Sequence, residues 1–231
     1  MKLSVIIPCY NERQTIEEII RRVESVNIDK EIIVVDDGST DGTREILRRI
    51  TKEKPHVKVI FHEKNQGKGG AVRTGVQHAT GDYIIIQDAD FEYFPEDYPH
   101  LLEPIEKKEA EIVFGSRILN KNNPKGSIFY YLGRVSITWV ANLLFGTRLT
   151  DCYTCYKIFP SELIKSFEIE SRGFELEAEL TARAALSGRK ITEVPIRYAP
   201  RSEEEGKKIR LKDWFKGFWT FLKFRFGRSV P

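Results

Sequence analysis

Cysteine is scarce in this chain: Cys9, Cys152 and Cys155 are the whole complement in 231 residues. They are too few and too unevenly placed for a secreted disulfide framework, which points to a reducing cytoplasm. Cys152-Tyr153-Thr154-Cys155 has C-x-x-C spacing, but Cys9 and the four scattered histidines supply no second pair of ligands. That excludes a zinc site and leaves plain thiols. No G-x-G-x-x-G follows the first apolar run, which continues Pro8-Cys9-Tyr10-Asn11-Glu12, so a dinucleotide-binding loop is excluded. Gly67-Lys68-Gly69-Gly70 lacks P-loop spacing and reads as a turn. Leu3 to Pro8 is too short for the apolar region of an export signal. Repeats and single-composition tracts are missing too. A hydrophobic share of 41% and a charged share of 31% are those of a soluble globular chain, so folding is expected throughout.

What is present is an alternation of buried-strand runs with helical patterns, the mark of an α/β domain with a mainly parallel central sheet. Strands are expected at Leu3 to Ile7, Glu31 to Val35, Val57 to Phe61, Tyr83 to Gln87 and Ile112 to Gly115. Ile16, Ile19, Ile20 and Val23 recur at helical spacing behind Thr15, which suits a helix start. A second helix is expected near Asp41, whose carboxylate can cap free amides, and a third after the glycines ending at Gly70. Asp36 and Asp37 then close the second strand while Asp88 and Asp90 close the fourth. Ligands of such folds sit beyond the carboxyl ends of the strands, so one cleft can collect all four carboxylates.

Asp88-Ala89-Asp90 carries the strongest chemical signal. Two carboxylates two residues apart on extended chain suit a hard divalent cation such as Mg2+ or Mn2+, which can offset charge on a diphosphate leaving group. The alternative is a solvated acidic turn, and position after a buried strand favours the metal.

The ordered set Val5-Ile6-Ile7-Pro8, Tyr10-Asn11-Glu12, Val34 to Asp41 and Asp88-Ala89-Asp90 resembles glycosyltransferase family 2. Phe114-Gly115-Ser116-Arg117, Thr150-Asp151, Cys155-Tyr156-Lys157 and Glu193-Val194-Pro195-Ile196 followed by Arg201 resemble its dolichyl-phosphate mannose and glucose synthase branch. The resemblance implies a GT-A-type nucleotide-sugar-binding fold and an inverting hexosyltransferase. It implies that Pro8, Tyr10, Glu12, Asp36 and Asp37 hold the base and ribose, with Ser39 and Lys68 beside them. Asp88 would lie against the sugar and diphosphate, Asp90 would ligate the metal, and Asp151 would lie near the acceptor. Glu92 stands where the family commonly has Gln, keeping an oxygen ligand but adding a charge.

A phosphate monoester is already an anion at neutral pH and needs no general base as acceptor. It does need cations, and Arg117, Arg134, Arg201 and Lys207 are the candidates, each with the commoner alternative of a surface cation. Arg134 is the least ordinary, lying inside the apolar stretch Ile128 to Phe145. That stretch is near spanning length, but Arg134 and Asn142 interrupt it. A helix lying against the bilayer and an ordinary buried helix are both open. Lys207 to Arg228 holds eight Lys or Arg against Asp213 alone, so the tail is basic and the rest of the chain net acidic. In that tail Trp214, Phe215, Phe218 and Leu222 fall at helical spacing, as in an interfacial amphipathic helix; packing on the domain or in a partner's groove are the alternatives.

The expected organisation is a catalytic domain over 1–206 and a membrane-associating tail over 207–231. The expected reaction moves a hexose from GDP-mannose or UDP-glucose to a polyprenyl or dolichyl phosphate on the inner face of the membrane. A separate membrane subunit is an optional further partner, and nucleic acid is not expected. Two alternatives are a transferase to a hydroxyl acceptor and a non-catalytic nucleotide-sugar-binding scaffold. The former needs a base, for which Glu175 and Glu177 are candidates, although a solvated helix face is the preferred reading of Glu177.

Overall fold

The computed structural model describes residues 1–124, 128–201 and 211–227. Seven strands form one sheet: β1 (Leu3–Cys9), β2 (Lys30–Asp36), β3 (Val57–Phe61), β4 (Tyr83–Ile86), β5 (Ile112–Ser116), β6 (Lys157–Pro160) and β7 (Ile191–Pro195). Their spatial order is β3-β2-β1-β4-β6-β5-β7, parallel except for β6, which runs antiparallel to both its neighbours. The helices are α1 (Ile16–Ser25), α2 (Thr43–Glu53), α3 (Gly67–His78), α4 (Tyr98–Glu106), α5 (Ile128–Phe145), α6 (Ser161–Ser166), α7 (Leu176–Leu186) and α8 (Leu211–Phe226).

The central strands are apolar without alternation because helices cover both faces of the sheet. Register brings the carboxyl ends of β1 and β2 level, Cys9 pairing with Asp36, while β4 ends at Ile86 opposite Ile6, so the chain after β4 continues beside the end of β1. From β1 the chain steps outward to opposite sides, which opens a crevice at this edge. β6 and β7 were not among the expected strands. β6 has four residues and begins at a lysine, and β7 is an edge strand that is only half-buried, so neither carries a long apolar signature.

The glycine segment differs from expectation. α3 begins at Gly67 and runs through the glycines instead of following them. The reason is tertiary: the Gly69 N–H donates to the Arg172 carbonyl at 2.9 Å. A Cβ on Gly69 would lie 1.8 Å from the Ser171 carbonyl oxygen, so the 171–173 loop rests directly on the helix start. The same helix then crosses β1 at Gly75, where a Cβ would meet the Ile6 side chain at 2.4 Å.

α8 packs over α7 and α5. Phe221 is fully buried and meets Phe145 edge to face at 5.8 Å, and the Trp214 indole N–H donates to Ser136 Oγ at 3.1 Å. Phe129, Leu132, Trp139 and Leu143 of α5 and Phe215 and Trp219 of α8 remain exposed. α5 is long and apolar enough to cross a membrane by length and composition.

Close packing of α3 on β1 predicts that Gly75→Ala lowers stability by about 1–3 kcal/mol through overpacking. Urea unfolding of Gly75→Ala, Ile6→Ala and the double variant checks this, the double variant losing less than the sum of the singles.

Candidate active site

A cleft of about 330 Å³ opens where the carboxyl ends of β1, β2 and β4 meet, within the size range of small-ligand sites. Pro8, Tyr10, Glu12 and Asp37 line one side of it, and Lys68, Asp88 and Asp90 another. Glu92, Arg117 and Arg201 complete the rim. Asp36, Ser39, Arg134 and Asp151 stand behind this lining, and Lys207 lies outside the described residues.

The two aspartates at the end of β2 have different partners. Asp37 Oδ1 accepts the Gln66 N–H at 2.8 Å and faces His62 Nδ1 at 2.8 Å, while Oδ2 accepts the Gly67 N–H at 2.8 Å. Asp37 therefore fixes the start of α3 against β2. Asp36 is fully buried, with Oδ2 facing Arg44 Nε at 3.3 Å and Oδ1 unpartnered among the described residues. Ser39 Oγ accepts the Asn11 N–H at 2.9 Å, tying the loop after β1 to the loop after β2.

Phe91 sits between Asp90 and Glu92 with φ of 59°, a left-handed conformation that a bulky side chain adopts only under tertiary constraint. Its neighbours supply that constraint, since Tyr93 is buried against Tyr156 and Tyr198. The result is a crowd of carboxylates. Burial, then repulsion from Asp88 and Glu92, pushes the Asp90 carboxyl up to about 7. Both Glu92 oxygens have contacts within the protein. Its Oε1 accepts the Arg201 N–H at 2.9 Å and its Oε2 faces the Tyr198 hydroxyl at 3.4 Å. No group of three His, Cys, Asp or Glu side chains among the described residues forms a ready metal cage. Arg201 also donates to the Asp90 carbonyl at 2.7 Å and reaches Glu12 at 3.2 Å, spanning the cleft from one side to the other.

The cationic corner has two unlike members. Arg117 is gripped by Asp151 through contacts of 2.7 and 2.8 Å and also donates to the Tyr153 carbonyl. Burial opposes its charge, but Asp151 outweighs burial and holds the guanidinium above its ordinary range. Asp151 is itself set by Glu193, which accepts the Thr150 and Asp151 N–H groups at 2.7 and 2.9 Å. Arg134 makes no ion pair among the described residues and has a buried, unpartnered Nε. Burial and the charge of Arg117 lower its pKa. Both guanidiniums lie over the Tyr198 ring, at 5.2 and 5.4 Å from its centroid.

Residues 4–164 match the profile described as Glycosyl transferase family 2. The chain belongs to glycosyltransferase family 2. Family members similar to it include a dolichol-phosphate mannosyltransferase of Pyrococcus furiosus, 32% identical over 90% of this chain. This chain spans 59% of that relative's length. An undecaprenyl-phosphate mannosyltransferase of Micrococcus luteus is 31% identical over 90% of this chain and 87% of its own. A UDP-N-acetylglucosamine–dolichyl-phosphate N-acetylglucosaminyltransferase of Methanococcus voltae is 30% identical over 99% of this chain and 98% of its own. The fold is that of the GT-A glycosyltransferases. Glucosyl-3-phosphoglycerate synthase of Mycobacterium tuberculosis, solved with Mn2+, UDP and glucosyl-3-phosphoglycerate, superposes with a TM-score of 0.71 at 22% identity, covering 97% of this chain and 79% of that one.

Within this family 2 site, Glu177 corrects the sequence reading. It is no solvated helix face but is 3% exposed, placed between Lys68 and Lys157. Nothing local marks it, because α7 is nearly all buried and the acidic residue looks like any helix surface position. Glu175 is partly exposed and accepts the Arg172 and Gly173 N–H groups, closing the loop before α7. The three cysteines are buried and form no disulfide with one another.

The raised Asp90 carboxyl has a consequence for stability without divalent cations. The native state binds this proton more tightly than the unfolded chain, whose Asp titrates near its ordinary 3.8. The stability that this carboxyl contributes is therefore fully present below the unfolded value and is lost as pH rises through about 7. Denaturant unfolding of metal-free protein between pH 5 and 8 is expected to show this decline, and Asp90→Asn is expected to flatten it.

Proposed function

We propose that this glycosyltransferase moves a hexose from a nucleotide sugar, GDP-mannose or UDP-glucose, to a polyprenyl phosphate at a membrane surface. The observation that carries the acceptor reading is the Arg134–Arg117 pair. Two guanidiniums share one aromatic ring, one neutralised by Asp151 and the other with a buried donor unused. A dianionic phosphate satisfies such a donor, and the names of the three relatives, each a transferase to a polyprenyl phosphate, support the same acceptor.

On the donor side Pro8, Tyr10, Glu12 and the loop held by Asp37 would flank the nucleoside, with Lys68 and Asp88 at the diphosphate and sugar. Asp90 with Asp88 would hold Mg2+ or Mn2+. The raised Asp90 carboxyl marks an excess of negative charge that a hard divalent cation relieves, so these residues fit the ion. When bound, the cation offsets charge on the departing diphosphate. An acceptor phosphate oxygen attacks the anomeric carbon, a new carbon–oxygen bond forms as the bond to the diphosphate breaks, and the nucleoside diphosphate leaves. No base is needed because the nucleophile is already ionised at neutral pH, its second pKa being near ~6. Arg117, Arg134 and Arg201 hold it against repulsion from the donor.

The membrane reading rests on the outer faces of α5 and α8, which expose Phe129, Trp139, Phe215 and Trp219 together. Attachment of α5 to α8 and α7 along its inner face favours a helix lying in the interface over one crossing it. The cytoplasmic leaflet is the matching side, and a separate membrane subunit would contact the same faces.

The test incubates GDP-mannose, UDP-glucose and UDP-N-acetylglucosamine in turn with a short polyprenyl phosphate and Mn2+, scoring labelled sugar in the lipid phase. Transfer from one donor, lost with chelator or in Asp90→Ala, is expected. In Arg134→Ala the acceptor KM should rise about tenfold, the size of one charge-assisted contact, with donor KM unchanged. Tight donor binding with no lipid labelled would favour a hydroxyl acceptor instead.

A further inference from the structure

A chain of alternating charge leads from Lys157, outside the cleft lining, to Glu177, Lys68 and Asp88, which line it, and joins β6, α7, α3 and the loop after β4. Lys157 of β6 has no exposed side-chain surface, and its Nζ meets Glu177 Oε2 of α7 at 2.5 Å. Glu177 Oε1 faces Lys68 Nζ of α3 at 3.1 Å. Lys68 in turn reaches both Asp88 oxygens, at 2.8 and 2.9 Å. Lys157 cannot swing away, because it also donates to the Thr154 carbonyl and lies 5.2 Å from the centre of the Phe114 ring. Glu177 is thus anchored from behind. Asp88, at 21% side-chain exposure against 5% for Glu177, is the carboxylate that faces incoming ligand.

We infer that Glu177 is a positioning residue of the donor site, holding Lys68 in the cleft so that its ammonium stays available to the donor diphosphate when Asp88 turns to the donor. The inference rests on the donor reading proposed above. Without Glu177, Asp88, already in two-point contact, becomes the sole anionic partner of Lys68 among these groups, and no second carboxylate competes for the ammonium. An arriving diphosphate must then break that pair to gain a cation. A Glu177 that only filled space or balanced charge would behave in the opposite sense, because deleting an anion near a bound diphosphate strengthens binding. The direction of the change separates the two roles.

Calorimetric titration of the full chain with GDP and with UDP in the presence of Mn2+ reads that direction without any acceptor. The diphosphate that binds wild type is expected to bind Glu177→Gln about tenfold more weakly, the scale of one charge-assisted contact. Lys68→Met should weaken it as well, and Glu177→Gln combined with Lys68→Met should be no weaker than Lys68→Met alone, since Glu177 acts through Lys68. Unchanged or tighter binding in Glu177→Gln, or additive losses in the double variant, overturns the inference. If Glu177→Gln does not fold, Lys157→Met combined with Glu177→Gln removes both buried charges together and takes its place, with the same expected loss. A wild-type chain that binds neither diphosphate sinks the donor reading and this inference with it; wild-type binding with an unaltered variant sinks the inference alone.

Discussion

Carboxylates gathered at the end of a dry parallel sheet repel one another, and most of the polar architecture of this molecule answers that repulsion. Asp36, Asp37, Asp88 and Asp90 arrive at one edge because β1, β2 and β4 are in parallel register, with Cys9 level with Asp36 and Ile6 level with Ile86. Asp36 and Asp37 are buried and need compensation that water cannot supply there, and half-buried Asp88 and Asp90 are partly in the same position. Asp37 takes two N–H groups at the start of α3, Asp36 has Arg44, and Asp88 has Lys68. Among the described residues Asp90 has no ion pair with a side-chain cation, and its carboxyl is pushed up to about 7. The charge still uncompensated sits at the position where a cation and a diphosphate would meet.

Cations at the other end of the cleft follow a complementary logic. Arg117 is fully committed: Asp151 holds it in a buried two-point contact, and Glu193 holds the backbone that carries Asp151. Arg134 is not, and it comes from α5, whose outer face is apolar and exposed. One helix thus carries a guanidinium over the Tyr198 ring beside that of Arg117, and aromatic surface toward its surroundings. For an amphipathic lipid phosphate, that places the two halves of the recognition problem on a single rigid element.

α8 reinforces this arrangement through contact with the cleft wall. A Cβ on Gly217 would approach the Tyr153 hydroxyl at 2.7 Å, so α8 lies directly on a residue that lines the cleft. Tyr153 also offers its carbonyl to Arg117. α8 therefore has one face built into the domain, which is one of the readings that its spacing allowed, and another left exposed.

Local sequence carried the elements whose physics is local. Apolar runs marked five of the seven strands, helical spacing marked Ile16 to Val23 as buried, and Asp-x-Asp after a buried strand marked the cleft. The same signals failed where neighbours distant in sequence decide. Gly67 to Gly70 reads as a turn until the Ser171 and Arg172 carbonyls are seen lying against it. β6 is too short to announce itself, and Glu177 looks like a solvated helix position until two lysines enclose it. By itself the sequence determined the family and the order along the chain of the five strands it marked, because these follow from residue type and spacing. Only the tertiary structure decided which charges are already paired and which stand open, because a buried charge is defined by what the fold places within about 3–4 Å of it.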